Sequence, residues 1–359
     1  MSALRASIDL DDTEGLIAAD REGLLRAASM AGAQVRATAA AVAEGALESL
    51  RGEQRPRSLV WISGRGPAAS AGAMLAATLG GSAAEPIVVA AEAPTWIGPL
   101  DVLVIAGDDP SDPALVASAA TGVRRGASVV IAAPYEGPLR DATAGRVAVL
   151  APRLWVPDDF GLCRYLAAGL ATLQALETRS AATLDLMTLA DQLDAEALRN
   201  SAGREVFTNA AKALADRITG RGVVLTGDCA ATLALARHGS AVLLRIAHRV
   251  VGAAGLADAL VALQSDAGGE YGDVDALFHD EELDGPLPER LRVLALTMAA
   301  ERQVVTARVA ALGDVDVVGV EDVPDPISVP VDTGRPEQQL ATLALRLEMA
   351  AVYLRLARG

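Results

Sequence analysis

Ser58-Leu59-Val60-Trp61-Ile62-Ser63-Gly64-Arg65-Gly66-Pro67-Ala68-Ala69-Ser70-Ala71-Gly72 is the stretch that decides the fold. It opens with a short apolar run rich in strand formers (58–62). It turns through two glycines and Pro67, and continues as an Ala-rich segment that reads as helix to Leu79. A strand feeding a helix through a glycine turn is half of a parallel β-α-β unit. The turn itself lets backbone N–H groups face an anion at the helix N-terminus. Glycine is needed where the backbone must come close to a ligand or adopt positive φ. A dinucleotide fingerprint asks for G-x-G-x-x-G; Gly64 and Gly66 fit it, but Ala69 stands at the third position and Glu92 is only a loose candidate for the acidic partner. The same residues also read as a tight turn with no ligand.

Working outward, further short apolar runs fall at 87–90, 102–106, 128–132 and 147–150, with a helical stretch at 114–125. Short buried strands alternating with helices predict a parallel sheet covered on both faces. Upstream, 16–50 reads as one or two Ala-rich helices after a helix start at Asp9-Leu10-Asp11-Asp12-Thr13-Glu14; an EF-hand loop would need Gly where Glu14 stands. Downstream, 160–199 reads as helix throughout and bridges to a second unit, with a hinge at 200–204. That unit repeats the opening pattern: helix 206–218, strand 222–226, Gly227 and helix 230–238. Strands at 292–296, 315–320 and 327–331 follow, with a last helix at 337–356. Two units, 1–199 and 200–359, suit a chain of 359 residues.

Composition narrows the function. The chain is 52% hydrophobic and 21% charged, the balance of a globular protein with large cores. Its formal charge of −15 argues against nucleic acid and anionic membranes as partners, because both need a basic face. Cys163 and Cys229 are far apart, without metal or disulfide spacing, and read as buried small residues in a reducing, cytoplasmic compartment. The first residues are acidic rather than basic and apolar, and no apolar run reaches about 20 residues, so neither a leader nor a membrane span is expected. Lys212 is the only lysine, which limits any lysine-dependent chemistry.

Three segments carry candidate chemistry. The first is the 62–72 turn, with Ser70 close behind it. The second is Gly107-Asp108-Asp109-Pro110-Ser111-Asp112 after the 102–106 strand, at the carboxyl end where such sheets bind ligands. Ser111 reads there as a helix cap or a phosphate donor. The third is Leu277-Phe278-His279-Asp280-Glu281-Glu282-Leu283-Asp284-Gly285-Pro286, an acid–base pair, a metal site or a solvated acidic turn. A zinc site would want further ligands at suitable spacing, and His238 and His248 do not supply it, so no metal is expected.

This layout resembles the sugar-isomerase (SIS) fold, in particular the bifunctional phosphoglucose/phosphomannose isomerases and their divergent TobH-type branch. The motif-level likeness lies at Asp275-Ala276-Leu277-Phe278-His279-Asp280-Glu281, which answers to the family's P-E-L-N-H-N-E segment, and in the Tyr353-Leu354 … Gly359 ending. The resemblance implies two tandem three-layer αβα domains with parallel, flavodoxin-like sheets. It also implies a homodimer and aldose–ketose isomerisation of glucose 6-phosphate or mannose 6-phosphate without a cofactor. By that match His279 opens the sugar ring and Gly64, Arg65, Gly66, Ser70 and Ser111 hold phosphate, while Glu270 is the nearest acid upstream that would shuttle the proton.

The departures are specific. The family's G-M-G-G-S loop reads Gly64-Arg65-Gly66-Pro67-Ala68 here, and its S-Y-S-G-N-T loop reads Ala106-Gly107-Asp108-Asp109-Pro110-Ser111. A carboxylate about 4 Å from a phosphate charge opposes it by roughly 4 kcal/mol at an effective dielectric near 20, and Arg65 offsets part of this. The stretch answering to the family's carboxylate base, Arg245-Ile246-Ala247-His248-Arg249, holds no acid, and the family's C-terminal lysine has no counterpart. Three expectations follow: a phosphosugar isomerase, a non-catalytic SIS protein that binds a sugar derivative or a protein partner and regulates, and, less well matched, a nucleotide-binding Rossmann protein.

Overall fold

The computed structural model describes residues 7–52, 55–176, 185–266, 291–321 and 334–358. The first unit opens with three helices, α1 (Thr13–Ala19), α2 (Leu24–Ser29) and α3 (Ala31–Ala43). It continues as β1 (Ser58–Ser63), α4 (Pro67–Leu79), β2 (Ile87–Ala90), β3 (Asp101–Ala106), α5 (Pro113–Arg125), β4 (Ser128–Ala132), α6 (Gly137–Thr143), β5 (Ala148–Val149) and α7 (Leu162–Leu176). After α8 (Leu186–Arg199) and α9 (Ala210–Ile218), a second run follows: β6 (Val223–Gly227), α10 (Ala230–Ala247), β7 (Gly252–Gly255), α11 (Leu256–Asp266), β8 (Arg292–Leu296), α12 (Ala299–Val309), β9 (Val315–Val318) and α13 (Pro336–Ala357).

Both sheets are parallel. The first has the order β2-β1-β3-β4-β5 and the second β7-β6-β8-β9, so the second repeats the first with one strand fewer among the described residues. The order of the first is the flavodoxin-like one, whose ligand crevice lies between β1 and β3 at their carboxyl ends. Alternation along the strands divides the cores. Leu59 and Trp61 face one helix layer, while Val60, Ile62, Leu103 and Ile105 face the layer that includes α5. In the second sheet Leu294 and Leu296 face the first of these cores, and Val293 and Ala295 face α11 and α12. The inner faces of the two sheets thus share one hydrophobic core, filled largely by Ala, Val and Leu.

Helix α13 runs through that shared core. Residues 337–354 are all buried, which requires a helix apolar nearly all round. Its two charged central residues are matched. Arg346 pairs with Glu196 of α8 and donates to the carbonyls of Gly319 (3.0 Å) and Val320 (2.8 Å), and Glu348 pairs with His238 of α10 at 3.0 Å. The 200–204 segment, expected as a hinge, is tied down. Tyr353 donates to the Asn200 carbonyl at 2.6 Å, and the Lys212 ammonium donates to the carbonyls of Ala202 (2.8 Å) and Arg204 (2.6 Å). The only lysine is therefore a buried structural donor.

Several expected elements shift. The helix expected over 160–199 is two helices, because Asp185 starts α8 afresh by accepting from the Met187 and Thr188 amides. The expected 206–218 helix begins at Ala210, where Asn209 caps it. Helix α10 runs past His238 to Ala247 and ends on His248 in the left-handed conformation. Strand β7 was not expected at all, since Gly252-Ala253-Ala254-Gly255 lacks the β-branched and aromatic residues that mark strands. The strand expected at 327–331 lies outside the described residues. Asp12 caps α1, as the acidic start predicts. No described helix is long and apolar enough to cross a membrane.

Candidate functional site

The two loops at the carboxyl ends of β1 and β3 meet. Pairing runs to the last residues of both strands, Ser63 with Ala106, and the Gly64 amide adds a further bond to the Ala106 carbonyl at 2.9 Å. Trp61 sets the height of α4 above the sheet. Its indole is fully buried, donates to the Ala68 carbonyl at 3.0 Å, and lies where a side chain on Gly72 of α4 would stand. A Cβ on Gly169 of α7 would meet the Leu75 side chain at 2.2 Å and the indole at 3.1 Å. Gly66 caps α4 with φ 74° and ψ −143°, and Pro67 takes the first helical position, which needs no N–H. No side chain caps this helix, so its first amides face the crevice without a side-chain partner.

The second loop is self-contained. Asp109 accepts from both the Ser111 amide (2.8 Å) and the Ser111 hydroxyl (2.5 Å). These bonds, the hydroxyl first, hold its carboxyl below the ordinary range, with help from the Arg65 charge. The cap of α5 is Asp112, which accepts from Ala114 at 2.8 Å; the capping role expected of Ser111 belongs to its neighbour. A Cβ on Gly107 would meet the end of the Leu115 side chain at 2.6 Å.

A third segment, invisible as a site in the sequence, closes the crevice. Pro157 leads into a single 3-10 turn, Asp158–Phe160, just before α7. The Asp158 carboxyl is pushed up by burial and by the charge and hydrogen bond of the Asp108 carboxyl. A second carboxyl group alongside disfavours the charged form of Asp158. The Tyr165 ring lies under the Arg164 guanidinium at 4.1 Å, and its hydroxyl is pushed up to about 12, mainly by burial. The inner amino group of Arg164, Nη1, is buried without a hydrogen-bond partner among the described residues. Asp159 pairs with the Nε of Arg245, which α10 carries in from the second unit, at 2.8 Å. Beneath this pair lies the buried His238–Glu348 pair, where burial pushes the Glu348 carboxyl up.

The corresponding end of β6 is closed. A Cβ on Gly227 would run into the backbone of Thr232 and Leu233 in the first turns of α10, whereas one on Gly64 would meet nothing nearer than 3.6 Å. Of the residues expected at the site, Gly64, Arg65, Gly66 and Ser111 come together at the first crevice. Ser70 sits half-buried in the first turns of α4. His279 and Glu270 lie outside the described residues. Cys163 is buried as expected, whereas Cys229 is half-buried at the start of α10, where its amide donates to the Thr232 hydroxyl at 3.2 Å. Asp158, Asp159 and Arg245 are the site residues that sequence reasoning missed.

No sequence-family model matches the chain, and no curated protein matches it in sequence. Solved structures do match. Tagatose-6-phosphate ketose/aldose isomerase from Escherichia coli superimposes with a TM-score of 0.62 at 13% identity, over 94% of this chain and 92% of that one. The fold is the tandem sugar-isomerase (SIS) fold. The C-terminal domain of glucosamine-fructose-6-phosphate aminotransferase from Francisella tularensis shares it (TM-score 0.60, 10% identity, 94% and 96% covered). So does glucosamine-6-phosphate deaminase from Thermotoga maritima (TM-score 0.56, 8% identity, 94% and 95% covered). At these identities the likeness establishes the SIS architecture, and it runs over nearly the whole chain.

Proposed function

We propose that this chain binds a sugar phosphate in the crevice at the carboxyl ends of β1 and β3. The phosphate lies over the α4 N-terminus beside Gly64, Arg65 and Gly66, with Ser70 and Ser111 flanking it. The carbonyl end of the sugar faces Asp108 and Asp158. The observation that carries this reading is the meeting of an uncapped helix N-terminus with the neighbouring Asp108 and Asp158 carboxyl groups at the switch point of the sheet. The names of the structural neighbours, among them a tagatose-6-phosphate ketose/aldose isomerase, a glucosamine-fructose-6-phosphate aminotransferase domain and a glucosamine-6-phosphate deaminase, support the substrate class.

The reaction this arrangement suits is aldose–ketose isomerisation between glucose 6-phosphate or mannose 6-phosphate and fructose 6-phosphate. A carboxylate takes the proton from C2 and returns it to C1. The resemblance gives ring opening to His279 and aligns no acid with the base, Glu270 being the nearest one upstream. Asp158, which lies beside Asp108 at the crevice, is the candidate base among the described residues. A second reading is a non-catalytic sugar-phosphate sensor. It is favoured by the Ser111 hydroxyl being tied to Asp109 and by the burial of Lys212. A homodimer is proposed with either reading, and sedimentation at the monomer mass would remove it.

Proton NMR of fructose 6-phosphate in D₂O separates the two readings. The isomerase reading predicts deuterium in the recovered sugar together with aldose product, and loss of both in Asp158→Asn. Binding without any exchange selects the sensor.

A further inference from the structure

We propose that Arg245, a residue of the second unit, binds the anionic group of the ligand at the Gly64–Gly66 loop; this rests on the reading of the crevice as a sugar-phosphate site. The geometry begins at Gly66. Its positive φ of 74° leaves the space above its Cα free of any side chain of its own. Among the described residues the only atom within 4 Å of the place its Cβ would occupy is Nη1 of Arg245, at 3.0 Å. A guanidinium from the far half of the chain therefore stands directly over the residue that opens α4.

Among the described residues Arg245 is held by one end. Its Nε pairs with Asp159 at 2.8 Å, and no hydrogen bond from Nη1 or Nη2 occurs among the described residues. A guanidinium anchored through Nε keeps its Nη donors for a second, planar partner, and a phosphate edge suits that fork. The side chain is 36% exposed, so a ligand arriving from solvent can reach it. The first amides of α4 have no side-chain cap on the same spot, and they favour the same charge.

The charge balance of the crevice calls for such a group. Asp108, Asp109, Asp158 and Asp159 all lie on the loops around it, and Arg65 is the cation of the first unit whose field reaches Asp109. The Arg164 charge acts on Asp158, and Arg245 supplies a third cation and takes up the charge of Asp159. It also lies in the very stretch that answers to the family's carboxylate base. A ligand held by Gly66 and Arg245 bridges the two units, so binding couples them.

The test uses the full chain and titration calorimetry with fructose 6-phosphate and with unphosphorylated fructose. Arg245→Gln is expected to weaken fructose 6-phosphate at least tenfold and to leave the affinity for fructose unchanged. Arg245→Lys recovers part of the loss, because charge returns without the fork. The Arg245–Asp159 pair is half-exposed and contributes little to folding, so the variant is expected to melt with the wild-type protein. Wild-type binding of fructose 6-phosphate that persists undiminished in a folded Arg245→Gln protein overturns the proposal. Failure of the wild-type protein to bind either fructose 6-phosphate or inorganic phosphate overturns the crevice reading itself, and the proposal with it.

Discussion

Replacing Arg346 with Met should be among the most damaging single changes in the protein that leave the crevice untouched. Arg346 is 4% exposed and Glu196 is 1% exposed. Its Nε meets Glu196 at 2.5 Å while its other nitrogens hold the carbonyls of Gly319 and Val320, so one side chain joins α13, α8 and the end of β9. Removing one partner of a buried ion pair costs about 3–5 kcal/mol, because the remaining charge is left in a poorly solvating interior. Two considerations place this case near the lower end. Glu196 keeps Arg199 at 2.7 Å and the Asn200 side chain at 2.6 Å, and Arg199 reaches solvent. The two carbonyls lose their donors, at about 1–3 kcal/mol each if fully orphaned, but that loss overlaps with the first and does not add to it. A fall of about 3 kcal/mol, with a urea slope of about 3 kcal/mol/M, lowers the midpoint by roughly 1 M. Urea unfolding at pH 7 followed by circular dichroism measures it. The double variant Arg346→Met/Glu196→Met should recover most of the loss, since apolar replacement of a whole buried pair is close to neutral. A single variant that loses less than about 1 kcal/mol, or a double variant as weak as the single one, refutes the reasoning.

The same clamp sets an acid limit. Burial raises the Glu196 carboxyl, but Arg346 and Arg199 outweigh it and hold its pKa below the usual 4.5. A carboxylate with a depressed folded pKa contributes stability that is complete above the unfolded value and is lost as pH falls through the folded one. The urea midpoint of the wild-type protein should therefore drop more steeply below about pH 4.5 than that of Glu196→Gln. At the crevice, Gly66→Ala should cost about 1–3 kcal/mol, because φ 74° with ψ −143° is a glycine conformation and the new methyl meets Arg245. Unfolding at neutral pH unchanged to within a few tenths of a kcal/mol would show that the loop relaxes freely.

The first sheet was largely legible because its strands are apolar runs bounded by turns. Leu59–Ile62 and Val102–Ala106 are buried on both faces, and a continuous run is what a central parallel strand needs. β7 was not, since its Gly-Ala-Ala-Gly pairs with β6 through backbone alone and leaves no side-chain signature. The break between α7 and α8 was missed because Asp185 looks like one more polar residue in a long amphipathic pattern until its carboxyl is seen accepting two amides. At the site, the glycine turn and the β3 loop could be placed from sequence because each is local. Asp158 and Arg245 could not, for Arg245 reaches Gly66 from nearly half the chain away and no spacing rule relates them. The serine expected as a cap was displaced by one residue, because Asp112 stands nearer the α5 amides and Asp109 captures the Ser111 hydroxyl.

The most direct test of the account is whether fructose 6-phosphate binds at the β1–β3 crevice. Amide chemical shifts of ¹⁵N-labelled protein, followed during titration with fructose 6-phosphate, report it residue by residue. The account predicts saturable shifts concentrated at Gly64, Arg65, Gly66, Asp108 and Asp158, with the Gly227 loop of the second sheet unmoved. Saturable shifts centred elsewhere, or none at millimolar sugar phosphate, would contradict it.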